Sequence, residues 1–398
     1  MKKLGIFTLT DALNYGAFYQ MFALQQYLKE DLENEYSITV YSPKENFKGN
    51  LIKYFSFSLK RFYRKSILRL KFNKCMNDVC VKSYNGEHLD IAFFGSDEIW
   101  NVDNDSFVND PNFYGIAVNA SLKIAYAPSI GYATIDSFNN FPNFIEGIKS
   151  LNEVLYRDNA TKELIQKKAS IKGERVIDPT ILFDNWETYK LKSTLKIGKP
   201  YIVYYSYLSE PPFKKALIEY SKKNNLSIIS AGFNVHSWAD ENLVLNPWDF
   251  LKLISGAKCV FTTTFHGTIM SMLLEKPLLF SPLSHKVKDL SKMFELQEYE
   301  INEFSTVEDI DNKLDCYDPS KIKIRKNFLK NKSTCNEWIF NLPRLIIFCI
   351  LPSCTNEAFC EVLRSFDPEA ALVTFSASVW QLAANACSPK LRPTDAGF

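Results

Sequence analysis

Short, uniformly apolar runs alternate twice with amphipathic helical stretches along this chain, and that alternation is what most limits its fold. In the first third, residues 4–9 read as a strand, 11–16 as a loop and 17–29 as a helix with apolar Phe18, Met21, Phe22, Leu24 and Leu28. Further strands are expected over 38–41, which stops at Pro43, over 91–94, which runs into Gly95-Ser96-Asp97, and over 124–127 and 174–177. The pattern restarts after Lys199-Pro200, with a strand at 201–205, a helix at 213–222 and a strand at 227–230. A helix over 247–255 opens with proline in its first turn, and a strand over 259–264 leads directly into another helix. Strands this short and continuous belong in a parallel sheet covered by helices on both faces. Two such halves predict an α/β fold of two Rossmann-like, doubly wound domains, 1–190 and 196–335, with strand ends facing a shared cleft.

Composition narrows the function. A net charge of +2 across 398 residues gives no global case for nucleic acid, and 46% hydrophobic residues is ordinary for a soluble globular protein. The opening MKKLGIFTLTD meets Asp11 too early for a signal peptide, and the longest apolar candidate, 345–351, falls far short of the roughly 20 residues of a membrane span. Nine cysteines, an odd number with no CxxC pair, indicate neither a zinc site nor a disulfide framework, so a cytoplasmic setting is expected. After the lysine-dense KIKIRKNFLKNK the style changes: residues from 335 onward hold one lysine, five of the nine cysteines and eight alanines. That shift marks 336–398 as an atypical, poorly ordered tail in which no chemistry is placed.

The stretch CVFTTTFHGT, 259–268, carries the strongest site signal. A buried strand breaking into a tight turn and opening a helix directs backbone N–H groups and a helix N-terminus at whatever lies above the sheet edge, which favours an anion. One of the four histidines, His266, lies in that turn. The loop before the first helix is not a GxGxxG, so it does not point to a dinucleotide.

Four stretches in order, NYGAFYQMFAL (14–24), DIAFFGSDEIWN (90–101), DPTILF (178–183) and TTTFHGT (262–268), give a chain that resembles the polysaccharide pyruvyl transferase family over about 1–335. The resemblance implies a GT-B-like pair of Rossmann domains. It also implies transfer of pyruvate from phosphoenolpyruvate to two hydroxyls of a surface-polysaccharide sugar or its precursor, forming a cyclic ketal. Asn14, Gly16, Ala17 and Gln20 match the family's first loop and helix, and Asp97, Trp100 and Asn101 its second loop. His266 and Gly267 match the turn tied to the phosphoenolpyruvate site, and Arg157-Asp158 resembles the Arg-acid pair ahead of the DPT motif. Thr263 departs from the acidic or amide residue often found there, and His285, Lys286 and Lys288 stand where many members show an arginine.

Phosphoenolpyruvate carries a phosphate and a carboxylate, so its site calls for cations and backbone donors, with no metal or other cofactor expected. Arg157, Thr264, His266, Gly267 and Thr268 are the expected donor-binding set, Arg157 as a bidentate grip and His266 as phosphate contact and acid for the leaving group. Asp97 is the expected base or clamp for the attacking sugar hydroxyl, with Asn14, Gly16, Gln20, Trp100 and Asn101 on the acceptor side. Structural roles stay open at this point: His266 or Asp97 as a cap, Trp100 as core filling, Arg157 in a surface ion pair with Asp158 or Glu153. The acceptor is nucleotide-linked, lipid-linked or polymeric. Residues 44–74 hold ten Lys or Arg against one acid, interleaved with aromatics, which suits an anionic surface, either headgroups at the cytoplasmic membrane face or the diphosphate of a lipid-linked sugar, or else a solvated helix face with its aromatics packed inward, and not nucleic acid. A sugar-nucleotide glycosyltransferase on the same fold and a non-catalytic partner protein are the two other readings.

Overall fold

The computed structural model describes residues 1–42, 59–104 and 109–332. The expected tail at 336–398 and the first half of the basic stretch lie outside these. Among the described residues, twelve strands form two all-parallel sheets that lie in one compact unit of the chain. The first sheet holds β1 (Lys2–Phe7), β2 (Tyr36–Ser42), β3 (Val81–Ser83), β4 (Leu89–Phe94), β5 (Ala120–Tyr126), β6 (Glu153–Tyr156) and β7 (Glu174–Arg175) in the order β3-β2-β1-β4-β5-β6-β7. The second holds β8 (Tyr201–Tyr205), β9 (Ser227–Ala231), β10 (Glu241–Leu243), β11 (Cys259–Thr262) and β12 (Leu278–Phe280) in the order β10-β9-β8-β11-β12. Each order reverses once, between β1 and β4 and between β8 and β11, and a crevice opens at the carboxyl ends of the strands at such points.

The helices that matter for the site are α1 (Tyr15–Leu32), α2 (Leu59–Cys75), α3 (Pro142–Lys149), α4 (Asn159–Lys168), α5 (Pro179–Leu182), α6 (Trp186–Lys190), α7 (Lys214–Lys223), α8 (Pro247–Gly256), α9 (Phe265–Leu273), α10 (His285–Phe294), α11 (Val307–Asp315) and α12 (Pro319–Lys332). The sequence reading expected α1, α7, α8 and α9 and eight of the twelve strands, and it missed β3, β6, β10 and β12. It also set the strand before His266 two residues too long. That strand stops at Thr262 because hydroxyls take over its ladder: Thr262 Oγ1 donates to the Tyr205 carbonyl at 2.6 Å and accepts from Thr264 N–H at 3.0 Å.

Helix α1 is apolar on nearly every side, with 14 of its 18 residues buried, and such a helix must be covered all round. One side faces the first sheet and the other packs on α8 of the second. The Tyr15 ring stacks on Phe250 at 4.1 Å between centroids, and Phe18 and Phe22 meet Trp248 edge-on at 5.1 and 5.0 Å. Tyr15 and Tyr19 hydroxyls donate to the Leu245 and Pro247 carbonyls at 3.0 and 2.5 Å, so this seam buries no wasted phenol. Further ties cross between the halves: Arg64 on α2 donates to the carbonyls of Gly232 (2.9 Å), Phe233 (3.3 Å) and Asn242 (3.0 Å), and Lys71 to that of Val244 (2.7 Å). At the other end, Lys330 on α12 donates to the Leu182 carbonyl at 2.8 Å. Part of the basic stretch therefore binds the protein itself.

Candidate functional site

The site forms where the carboxyl edge of the first sheet meets the turn that opens α9. At the end of β4 the chain passes through Gly95-Ser96 into Asp97, whose φ of 80° lies in the left-handed region that a non-glycine residue adopts only when its surroundings enforce it. Thr8 Oγ1 donates to the Ser96 carbonyl at 3.0 Å and Ser129 N–H to the Asp97 carbonyl at 2.8 Å, which fixes that geometry. The Asp97 carboxylate then stands 3.7 Å from Nη2 of Arg157, the residue directly after β6. Arg157 Nη1 donates at 2.5 Å both to Asp178 Oδ2 and to Gln20 Oε1. Asp178 caps α5, its Oδ1 accepting from Thr180 N–H at 3.0 Å and from the Thr180 hydroxyl at 2.5 Å. Arg157 is 3% exposed, so the surface ion pair left open by the sequence is ruled out. Its neighbour Asp158 caps α4 through Thr161.

From the second sheet, His266 in the first turn of α9 brings Nε2 to 3.8 Å from Asp178 Oδ2. Two glycines make the approach possible. A Cβ on Gly16 would sit 2.1 Å from His266 Nδ1, so only glycine lets the start of α1 lie against the imidazole. A Cβ on Gly267 would sit 2.3 Å from Thr262 Oγ1 and 2.5 Å from Thr264 Oγ1, inside the hydroxyl cluster that ends β11. The histidine thus reaches a carboxylate from the opposite half of the molecule, which no spacing argument contains.

A narrow crevice runs beside this group, lined by Arg157, Asp158, Val176, Asp178 and Ile181 on one wall and Phe265, Lys286, Asp289, Leu290 and Met293 on the other. The Phe265 ring lies between two cations, 5.2 Å from the Arg157 guanidinium carbon and 5.8 Å from Lys286 Nζ. Lys286, on the first turn of α10, pairs across the crevice with Glu98, and Asn159 donates twice to Asp289, at 3.1 and 3.0 Å. Of the three cationic candidates at the start of α10, only Lys286 turns inward, while His285 and Lys288 are exposed.

Charge balance explains how buried ions survive here. Burial alone would raise the Asp178 carboxyl, but His266 and Arg157 outweigh it and hold the group well below the usual carboxylate range. Glu98 is lowered in the same way, its burial outweighed by Lys286, Asn101 and Arg157. Burial would likewise weaken the Arg157 cation, yet Asp178, Asp97, Asp158 and Glu98 together raise its pKa. In spite of these partners, Arg157 Nε and Nη2, Gln20 Nε2, His266 Nε2 and Ser96 Oγ are buried without a hydrogen-bond partner. Folded proteins leave few buried donors unmatched, so several in one cluster mark a place built for something polar.

Several expected site residues take other roles. Trp100 is a correction: its ring is fully buried, stacks with Tyr114 at 6.1 Å and donates Nε1–H to the Phe113 carbonyl at 2.9 Å, so it has no free face for a sugar. Thr268 is a second: it is fully buried and its hydroxyl donates to the Thr264 carbonyl at 3.0 Å, the back-bond of a helical threonine. Thr264 caps α9, its Oγ1 accepting from Gly267 N–H at 3.0 Å, so this turn amide is already engaged. Asn14 caps α1 through Gly16 N–H at 2.8 Å. Asn101, 1% exposed, donates to Glu98 Oε2 at 2.9 Å and so positions that carboxylate. Gln20, grouped above with the acceptor, lies against Arg157 instead. Asp178, Glu98 and Phe265 were missed, although Asp178 opens the DPTILF stretch that the sequence singled out.

Solved structures resemble the whole arrangement. A Listeria monocytogenes protein assigned as a UDP-N-acetylglucosamine 2-epimerase superposes with a TM-score of 0.51 at 12% identity, covering 86% of this chain and 97% of its own. The Rickettsia bellii UDP-N-acetylglucosamine 2-epimerase gives 0.49 at 11% identity, over 89% and 99%. At such identity the first of these shows the fold alone: two Rossmann-like units facing a cleft, in the GT-B-like manner. No curated protein matches the chain. The model of the family described as polysaccharide pyruvyl transferase matches residues 14–284, a span that contains Asp97, Arg157, Asp178 and His266. The chain belongs to the polysaccharide pyruvyl transferase family.

Proposed function

We propose that this protein transfers pyruvate from phosphoenolpyruvate to two hydroxyls of a sugar in a surface polysaccharide or its precursor. The observation that carries the reading is the buried group of unmatched donors on Arg157, Gln20 and His266, drawn from both halves of the molecule. A dianionic phosphate and a carboxylate are what such donors bind best, and Arg157 offers the planar fork that grips either one. Lys286 brings a further cation from the second half, and His266 sets its imidazole beside Asp178.

In the reaction, the methylene carbon of the enol takes a proton and the central carbon becomes an electrophile. One sugar oxygen adds there, phosphate leaves, and the second sugar oxygen closes the ketal. Of the two hydroxyl protons released, one balances the new methyl group and the other leaves with phosphate. In this reading His266 protonates the departing phosphate and Asp97 draws a proton from the attacking hydroxyl, supported by their position beside Arg157 and Asp178. The test is to incubate the protein with phosphoenolpyruvate and a panel of nucleotide-linked and lipid-linked sugars. Mass spectrometry should find a sugar heavier by one pyruvate less water, together with free phosphate. Consumption of a nucleotide sugar with phosphoenolpyruvate untouched would refute the reading.

A further inference from the structure

Helix α2 carries seven Lys or Arg and no acidic residue over Leu59–Cys75. Its inner side is committed: Leu68 and Phe72 are buried, Arg64 and Lys71 bind carbonyls of the second half, and Arg61 and Lys65 lie over the Phe233 ring. At about 100° of helical rotation per residue, Phe62, Ser66, Leu70 and Tyr63 fall on one arc turned away from Arg64 and Lys71. Phe62 is 52% exposed, Tyr63 67% and Leu70 65%. Single exposed apolar side chains are ordinary, but these three share one arc of a helix whose charged residues are all cationic. Lys74, also exposed, borders the arc on one side.

We propose that this arc of α2 docks the protein on the surface of an anionic phospholipid bilayer, with Phe62, Tyr63 and Leu70 entering the headgroup boundary, Lys74 meeting lipid phosphates and the positive charge of the helix drawing it to the surface. An apolar strip bordered by positive charge on a helix lying flat is the arrangement such interfaces take. A second copy of the chain fits poorly, since it would set seven positive charges on one helix against seven on another with no acid between them. The inference is independent of the transferase reading.

The full chain is sedimented with vesicles of phosphatidylcholine alone and of phosphatidylcholine mixed with phosphatidylglycerol. Binding is expected to the mixed vesicles only, to weaken with added salt, and to fall about tenfold in the triple variant Phe62→Ser, Tyr63→Ser, Leu70→Ser. That variant should keep its far-UV spectrum and melting temperature. As a separate reading, tryptophan emission in Leu70→Trp should move to the blue on mixed vesicles and stay put on neutral ones. Wild-type protein that ignores anionic vesicles, a triple variant that binds as well as wild type, or a dimer that the triple variant abolishes would each overturn the proposal.

Discussion

Two of the contacts between the halves of this molecule have opposite character. Along α1 and α8 the contact is aromatic and complete: Tyr15, Phe18 and Phe22 pack on Phe250 and Trp248, and the phenols of Tyr15 and Tyr19 find carbonyls. At the carboxyl ends of the strands the contact is ionic and incomplete, with Arg157, Gln20 and His266 keeping buried donors unmatched. The aromatic seam earns stability by burying apolar area at about 25 cal/mol per Å². The ionic crevice gives some of that up, because buried ions recover their desolvation only with full partnership. The seam holds the halves in register so that the crevice, a poor adhesive, is free to bind.

Changes that break one contact should therefore leave the other's property intact. The largest effect is expected from Asp178→Asn, which strips Arg157 of its nearest counter-charge. It should cost about 3–5 kcal/mol in urea unfolding and abolish ketal formation. Phe22→Leu in the seam should cost about 1.5 kcal/mol by the same measurement and leave phosphoenolpyruvate affinity unchanged. The two contacts should also separate by pH. Asp178 and Glu98 have lowered pKa values in the folded protein, so their stabilisation is fully present above the unfolded carboxylate value near about 4 and drains away as pH falls below it. Unfolding free energy measured down that acid range should drop less steeply for Asp178→Asn than for wild type. The smallest effect belongs to Glu98→Gln, which releases Lys286 from its cross-crevice partner. It should tighten phosphoenolpyruvate binding several-fold, about 0.5–1 kcal/mol, in a calorimetric titration.

The fold was readable because buried parallel strands print themselves as continuous apolar runs: 91–94 and 201–205 announce β4 and β8 without help. Strand β6 hid because Glu153 opens it and Arg157 follows it, and β12 because three residues after Pro277 leave no pattern to see. At the site, His266 and Arg157 were visible as chemically unusual residues at strand ends. Their meeting over Asp178 was not, since residues 157, 178 and 266 converge only through packing of one sheet on the other. Trp100 misled for the complementary reason. A tryptophan beside a site loop reads as a sugar platform until the Phe113 carbonyl and the Tyr114 ring show it enclosed.

The central claim is that Arg157, at the ionic contact, grips an anionic donor. Calorimetric titration of phosphoenolpyruvate into wild type, Arg157→Lys and Phe22→Leu tests it most directly. Lysine keeps the charge but loses the planar fork, so affinity should fall about a hundredfold in Arg157→Lys and hold steady in Phe22→Leu. Equal affinity in wild type and Arg157→Lys, or a loss in Phe22→Leu as large as that in Arg157→Lys, would contradict the account.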